Sequence, residues 1–268
     1  MGGFLLNEQK YPQLERLHIL RTETLCSIRD RAFDGLQLFF KNYSDGIVSG
    51  CELKTTKKSI TLTSGIILHN NFLYFIKDEM SIDYAPTENY VMLKIIFLPE
   101  ILSENFIQRD VKLILSEIPE KEEKNFLADN EMELCRFKLK SGAILRTNHT
   151  DFFDFATEFD TINFINVPYA DKNFSTLSPE ITFEFANEAK DFELETEDFI
   201  FCQNALSKKI ISAEQIAFYI EHRLKIELPD KKNQTLYEHL CLILQEITSG
   251  NRREIKKLNR RRREIILD

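Results

Sequence analysis

The run Tyr90 to Leu98, YVMLKIIFL, constrains this chain more than any other stretch. It is apolar nearly throughout, and it is too short to cross a membrane, which takes about 18 or more continuous apolar residues. A strand with no polar face must be covered on both sides. The run therefore predicts a central strand, and the remaining chain has to supply the layers that cover it.

The neighbouring segments have the matching period. Ile47-Val48 and Leu53, then Ile60 and Leu62, then Ile66 to Leu68 are rich in β-branched and bulky residues. The Asn70-Asn71 pair between GIILH and FLYFI predicts a hairpin turn, because asparagine tolerates positive φ. Gly46, Gly50 and Gly65 mark bends or bulges. Val111 to Ile118 alternates, EKEEKNFLADN reads as a solvated loop or short helix, and Glu133 to Arg146 reads as a hairpin turned at Ser141-Gly142. About eight strands at this spacing predict an antiparallel β-sandwich or open barrel over residues 45–170.

Helical signals flank that region. From Pro12 to Leu38 the residues Leu14, Leu17, Ile19, Leu20, Leu25, Ile28 and Leu36 recur mostly at helical steps among charges, so residues 1–44 predict an N-terminal strip and a long helix with one buried stripe. Ser178-Pro179-Glu180 is a helix start, with Ile181, Phe185, Ala189 and Phe192 following at helical steps. Ser212 with Gln215 forms a capping-box pattern before IAFYIEHRLKI, which Pro229 should end, and TLYEHLCLILQEI predicts one more helix. The chain is thus α+β in class: an N-terminal helix, a β-sandwich or open barrel, and a helical bundle over 171–268 that carries a basic tail.

Composition narrows the function. A 43% hydrophobic and 29% charged chain with 22 Phe and 0 Trp is globular, with phenylalanine as its main bulky core material. The first twenty residues lack the order of a signal peptide, so a cytoplasmic protein is expected. Cys26, Cys51, Cys135, Cys202 and Cys241 lie far apart with no metal-ligand spacing, which predicts reduced and mostly buried thiols. Net charge is −8, yet the segment 251–268 carries eight basic against three acidic residues, +5, leaving −13 on the rest. An acidic body with a basic end suits contacts between neighbours better than wrapping of nucleic acid.

No constellation of residues points to catalysis. His149 lies two residues from Asp151, the spacing of an acid-oriented general base, but no nucleophile elbow accompanies it, and a hydrogen-bonded loop histidine is the plainer reading. His18, His69, His222 and His239 share no ligand spacing, with His69 expected to belong to the turn before Asn70. Glu122-Glu123 and the acidic cluster Glu193 to Asp198 read as solvated faces. DFFDFATEFD, Asp151 to Asp160, reads either as an edge segment packing phenylalanines inward or as a docking surface with aromatic anchors. No phosphate loop or dinucleotide fingerprint occurs, and neither a cofactor nor a metal is expected. The run Arg260, Arg261, Arg262, Arg263, set among Ile255, Leu258, Ile265 and Ile266, reads as an amphipathic helix that joins an acidic neighbour, with phosphate binding to nucleic acid or lipid as the alternative.

Gly3-Phe4-Leu5-Leu6 with Gln9 and Tyr11, then a long charged helix, then SGCEL, SGIILHNNFLYFI, ENYVMLKIIFLPE and MELCRFKLKSGAILR follow one another in this order. That order resembles the N-terminal shell domain of the type VI secretion baseplate adaptors, the TssK family, a domain similar in turn to the shoulder of phage receptor-binding proteins. The resemblance covers roughly residues 1–155. The chain departs from the family in lacking a Trp before the Gly-x-Phe stretch and in reading Asn7-Glu8-Gln9-Lys10-Tyr11 where the family has a Pro-Gln-His-Phe-like run. It also leaves no room for the family's last domain, so a phage-like tail baseplate protein is an equally fitting relative. The resemblance implies a non-enzymatic structural subunit: a homo-oligomer, dimer or trimer, that docks other baseplate proteins. Gly3, Phe4, Leu5, Leu6 and Tyr11 would meet wedge proteins, and the helices would trimerise. A nucleic-acid-binding or regulatory protein using the basic tail is the alternative.

Overall fold

The computed structural model describes residues 12, 19, 21–87, 89–118 and 127–249. The chain divides into two compact units, Met1–Asn42 and Tyr43–Asp268. In the first, helix α1 spans Thr22–Phe40 and none of its residues is buried. The helix begins later than Pro12: Pro12 and Ile19 have no regular structure, and Arg21 is extended as the N-cap residue. Apolar spacing marks a helical face but does not mark a start, which the backbone of the cap decides.

The second unit opens with six short strands: β1 Gly46–Gly50, β2 Leu53–Thr55, β3 Ser59–Leu62, β4 Gly65–His69, β5 Phe72–Ile76 and β6 Met80–Asp83. They form two three-stranded antiparallel sheets, ordered β1-β4-β5 and β2-β3-β6. Asn70 and Asn71 take φ of 49° and 63°, the left-handed pair that a two-residue β4–β5 hairpin needs. Gly50, at φ +64°, lies where the chain passes from β1 toward β2; a Cβ there would fall 2.3 Å from the carbonyl oxygen of Ser64. Only glycine permits so close an approach at that φ. A bulge interrupts the β1–β4 register between Ile47 and Ser49.

Next come β7 Tyr90–Phe97, β8 Ile101–Leu102, β9 Ile107–Gln108, β10 Val111–Ile118 and β11 Glu131–Lys138. The central strand is β7, flanked by β10 and β11, with six of its eight residues buried. Among the described residues the strands thus fall into four antiparallel sheets, the β8–β9 pair being the smallest, and no closed barrel forms. The hairpin expected from Glu133 to Arg146 is absent. The chain does turn at Ser141-Gly142, but Arg146 bridges Thr161 instead of β11, whose Arg136 and Lys138 bridge Asn163 and Phe159. Competition between two possible partners for one strand edge is a tertiary outcome.

A 3-10 helix at Phe152–Ala156 precedes α2 Pro179–Ala189, α3 Thr196–Ala205, α4 Ala213–Leu224 and α5 Asn233–Ser249. Ser178 caps α2 with Pro179 at its first position, and Ser212 with Gln215 closes a full capping box on α4. Helix α4 ends ahead of Pro229, because Lys225 takes the left-handed C-cap conformation at φ 55°. Helix α2 packs on α3 and α5, and α4 on α3 and α5. Phe152, Phe155, Phe185, Tyr237 and Leu240 form the centre of their core, while Ile60, Leu93, Ile95 and Phe137 belong to a second core among the strands. Phe164 packs against both.

A buried ion pair links β7 and β11. Lys94 is 6% exposed at the middle of β7, and its Nζ donates to Glu131 Oε2 at 2.7 Å. Removing one partner of a buried pair costs far more than replacing both by apolar residues. Glu131→Ala should therefore lower stability by about 3–5 kcal/mol in urea unfolding, while Lys94→Met with Glu131→Leu should be close to neutral. Equal losses in both variants would show that the pair itself stabilises the sheet.

Candidate interaction surfaces

Exposed apolar side chains among the described residues gather on α1 and on the β8–β9 hairpin, as well as on the helices. On α1, Leu25, Ile28, Leu36 and Phe39 lie at helical spacing and all are exposed. Arg29, Asp30, Arg31 and Asp34 supply charges of both signs beside this stripe. Helices that pair with copies of themselves have this combination, an apolar seam with mixed-sign flanks.

The second group is the hairpin of β8 and β9. Ser103 closes it: its backbone N–H donates to the Phe106 carbonyl at 2.9 Å, and its hydroxyl accepts from the Phe106 N–H at 3.1 Å. Ile101, Leu102, Phe106 and Ile107 are all exposed, Leu102 and Phe106 by nearly three quarters of their surface. Four large apolar residues on an exposed two-stranded hairpin are what a docking tip requires. Sequence reasoning passed over this segment, although the apolar pairs on either side of Ser-Glu-Asn were visible in ILSENFI.

The residues singled out for chemistry serve the interior. The His149 ring lies 4.1 Å from that of Phe155, and its Nε2 is 2.9 Å from the carbonyl oxygen of Ile162. Asp151 caps the 3-10 helix by accepting from the Asp154 N–H at 3.0 Å. Asp154 takes a bidentate pair from Arg146 at 2.6 and 2.7 Å, and this guanidinium holds its carboxyl well below the usual range. Burial lowers His149, with the Ile162 carbonyl opposing, so the imidazole is neutral at neutral pH. No acid is set to orient it, and its buried Nδ1 has no hydrogen-bond partner.

The DFFDFATEFD segment buries Phe152 and Phe155 fully, on a 3-10 helix over Phe152–Ala156, and leaves Phe153 exposed. The acidic cluster before α3 differs from a solvated face at one position. Asp198 is fully buried, accepting from the Tyr219 hydroxyl at 2.9 Å and from Arg223 Nε at 3.0 Å. His69 ends β4 and is buried, stacked at 3.9 Å on Phe97 with its Nδ1 2.8 Å from Asp45. Burial pushes the thiols of Cys51 and Cys202 up to about 12, and that of Cys241 to about 11, which keeps them protonated and unreactive. Among the described residues no group of three or more His, Cys, Asp or Glu is placed to hold a metal, and no helix is long and apolar enough to cross a membrane. Gly3, Phe4, Leu5, Leu6, Tyr11 and Arg260 to Arg263 lie outside the described residues.

No protein-family model matches the chain, and no curated protein matches it. A solved structure described as "Crystal structure of TssK" is similar to it. That likeness has a TM-score of 0.42 and 10% identity, and it covers 90% of this chain and 72% of the other. A TM-score of that size leaves the functional reading to the chain's own residues and surfaces.

Two outcomes follow from these geometries. Leu102→Ser with Phe106→Ser should leave the urea midpoint nearly unchanged, within about 0.5 kcal/mol, because surface residues away from special features contribute little to folding. A loss of about 2 kcal/mol or more would mean that the hairpin is covered. The lowered His149 makes the unfolded chain bind more protons below about pH 6.5, so its contribution to stability is present at pH 7 and declines as pH falls toward 5. The carboxyls of Glu180 and Glu188, raised by burial, work in the opposite direction. His149→Gln should reduce the fall in Tm between pH 7 and 5, and an unaltered slope would remove His149 as its source.

Proposed function

We propose that this chain is a non-enzymatic structural subunit of a phage-tail-like or contractile injection baseplate. It assembles with copies of itself through α1 and docks other baseplate proteins through the β8–β9 hairpin and the strip Gly3 to Tyr11. In that reading residues 45–170 are the shell-like body, residues 171–268 are the helical region, and the protein works in the cytoplasm as part of the machine. The observation that carries the proposal is the stripe Leu25, Ile28, Leu36 and Phe39 on a 19-residue helix with no buried residue. An isolated helix of that length is marginal in water, and burial of its apolar face is what stabilises it. The order of sequence motifs shared with the TssK family supports the baseplate assignment, and the protonated thiols and the unoriented His149 are in keeping with a role without chemistry.

Light scattering of the full chain over a range of concentrations should give the mass of a dimer or trimer. Ile28→Asp with Leu36→Asp should convert it to a monomer whose main thermal transition is retained, because these positions belong to the first unit and lie outside both cores. A monomer in the unaltered chain, at the highest concentration reached, would overturn self-assembly through α1. Salt-sensitive oligonucleotide binding that is lost on changing Arg260 to Arg263 would move the nucleic-acid reading ahead.

A further inference from the structure

Helices α3 and α4 meet through Phe201 and Tyr219, whose rings stack at 4.2 Å with planes 5° apart. Beside this stack the two helices leave an open cavity of about 640 Å³. Its walls are apolar and wet: Ile200 on α3 is 53% exposed and Phe218 on α4 is 70% exposed. Helix α3, TEDFIFCQNA, is apolar on its outer side as well as its inner one, a pattern that belongs to a helix covered on more than one face.

Carboxylates stand at both ends of the groove. Glu197 and His222, 3.0 Å apart, stand at one end. Asp171 and Glu214 stand at the other with Lys172, and Lys231 lies 4.0 Å from Glu214. Asp171 lines the groove, and its buried Oδ2 accepts no hydrogen bond. A cationic, apolar occupant would satisfy both the walls and the ends.

The chain itself carries such a segment. Ile255, Leu258, Ile265 and Ile266 recur at offsets of 3, 10 and 11 from the first, one side of a helical period, among eight basic residues. Helix α5, which ends at Ser249, lies against α4. Near its end, Glu246 accepts from Arg223 at 3.1 Å, and Arg223 adjoins His222 on α4 and bonds Asp198 on α3. Eighteen residues in helical form would span about 27 Å at 1.5 Å per residue, enough to run the length of α4 from His222 to Ser212.

We propose that the basic segment 251–268 seats in the α3–α4 groove of its own chain, with its apolar side on Ile200 and Phe218 and its arginines toward Asp171, Glu197 and Glu214. This is helix-in-groove recognition in cis, and it occupies the arginines that would otherwise meet phosphate. It stands independently of assembly through α1.

The absence of tryptophan from the chain makes the test direct. Phe218→Trp in the full chain places one indole on the groove wall, and Ile200→Trp places one on the opposite wall as a second, separate reporter. With the segment seated, either indole emits to the blue and is several-fold less quenched by acrylamide than in the same chain carrying Arg260 to Arg263→Glu with Ile255→Asp and Leu258→Asp. Added salt should raise quenching only where the segment is intact. Equal quenching with and without the altered segment overturns the proposal and leaves the arginines available to another partner. Protection that disappears on dilution assigns the occupant to a second copy and also overturns it.

Discussion

The fold depends on covering β7. A strand with six of eight residues buried exposes no face to water, so it needs a hydrogen-bonded neighbour at each edge and a packed layer on each side. Strands β10 and β11 supply the edges, and Ile60, Leu62, Ile67 and Phe137 contribute to the core it shares. The charge of Lys94, in the middle of this strand, is tolerated because Glu131 lies at hydrogen-bond distance on the adjacent strand.

That requirement also shapes the connection to the helices. Because β11 bonds to the chain at Phe159 and Asn163 rather than to the segment after Ser141-Gly142, the intervening loop is free to fold inward. Arg146 and Asp154 pin that loop, and Phe152 and Phe155 then become the first layer of the helical core. Tyr237 on α5 closes the joint by donating to the Phe152 carbonyl at 2.8 Å, and Asn233 donates to Val167 and Thr176. Groups that could have been read as catalytic, His149, Asp151 and Asp154, are used to satisfy a buried turn.

Apolar surface is distributed unevenly as a result. The interior of the second unit is well filled, whereas α1, the β8–β9 hairpin and the α3–α4 groove present large side chains to water. Covering such surfaces removes apolar area from water and is favourable.

Much of this was legible in the sequence. The central strand, the Asn70-Asn71 hairpin, the Ser178 and Ser212 caps and the burial of Ile181, Phe185 and Ala189 on α2 all follow from local chemistry or period, which operates over a few residues. The α1 stripe shows in the sequence as a face to be buried, yet its residues are exposed, because periodicity reports that a face exists and not what covers it. The partner of β11, the left-handed stop at Lys225, the burial of Asp198 and the hairpin tip needed the tertiary structure, since each depends on contacts between residues distant in the chain or on a choice between competing partners. By itself the sequence determined which segments must be strands and helices and which of their faces are apolar. The tertiary structure decided which of those faces pair with one another and which remain exposed, because burial is settled by the whole chain at once and not by any one segment.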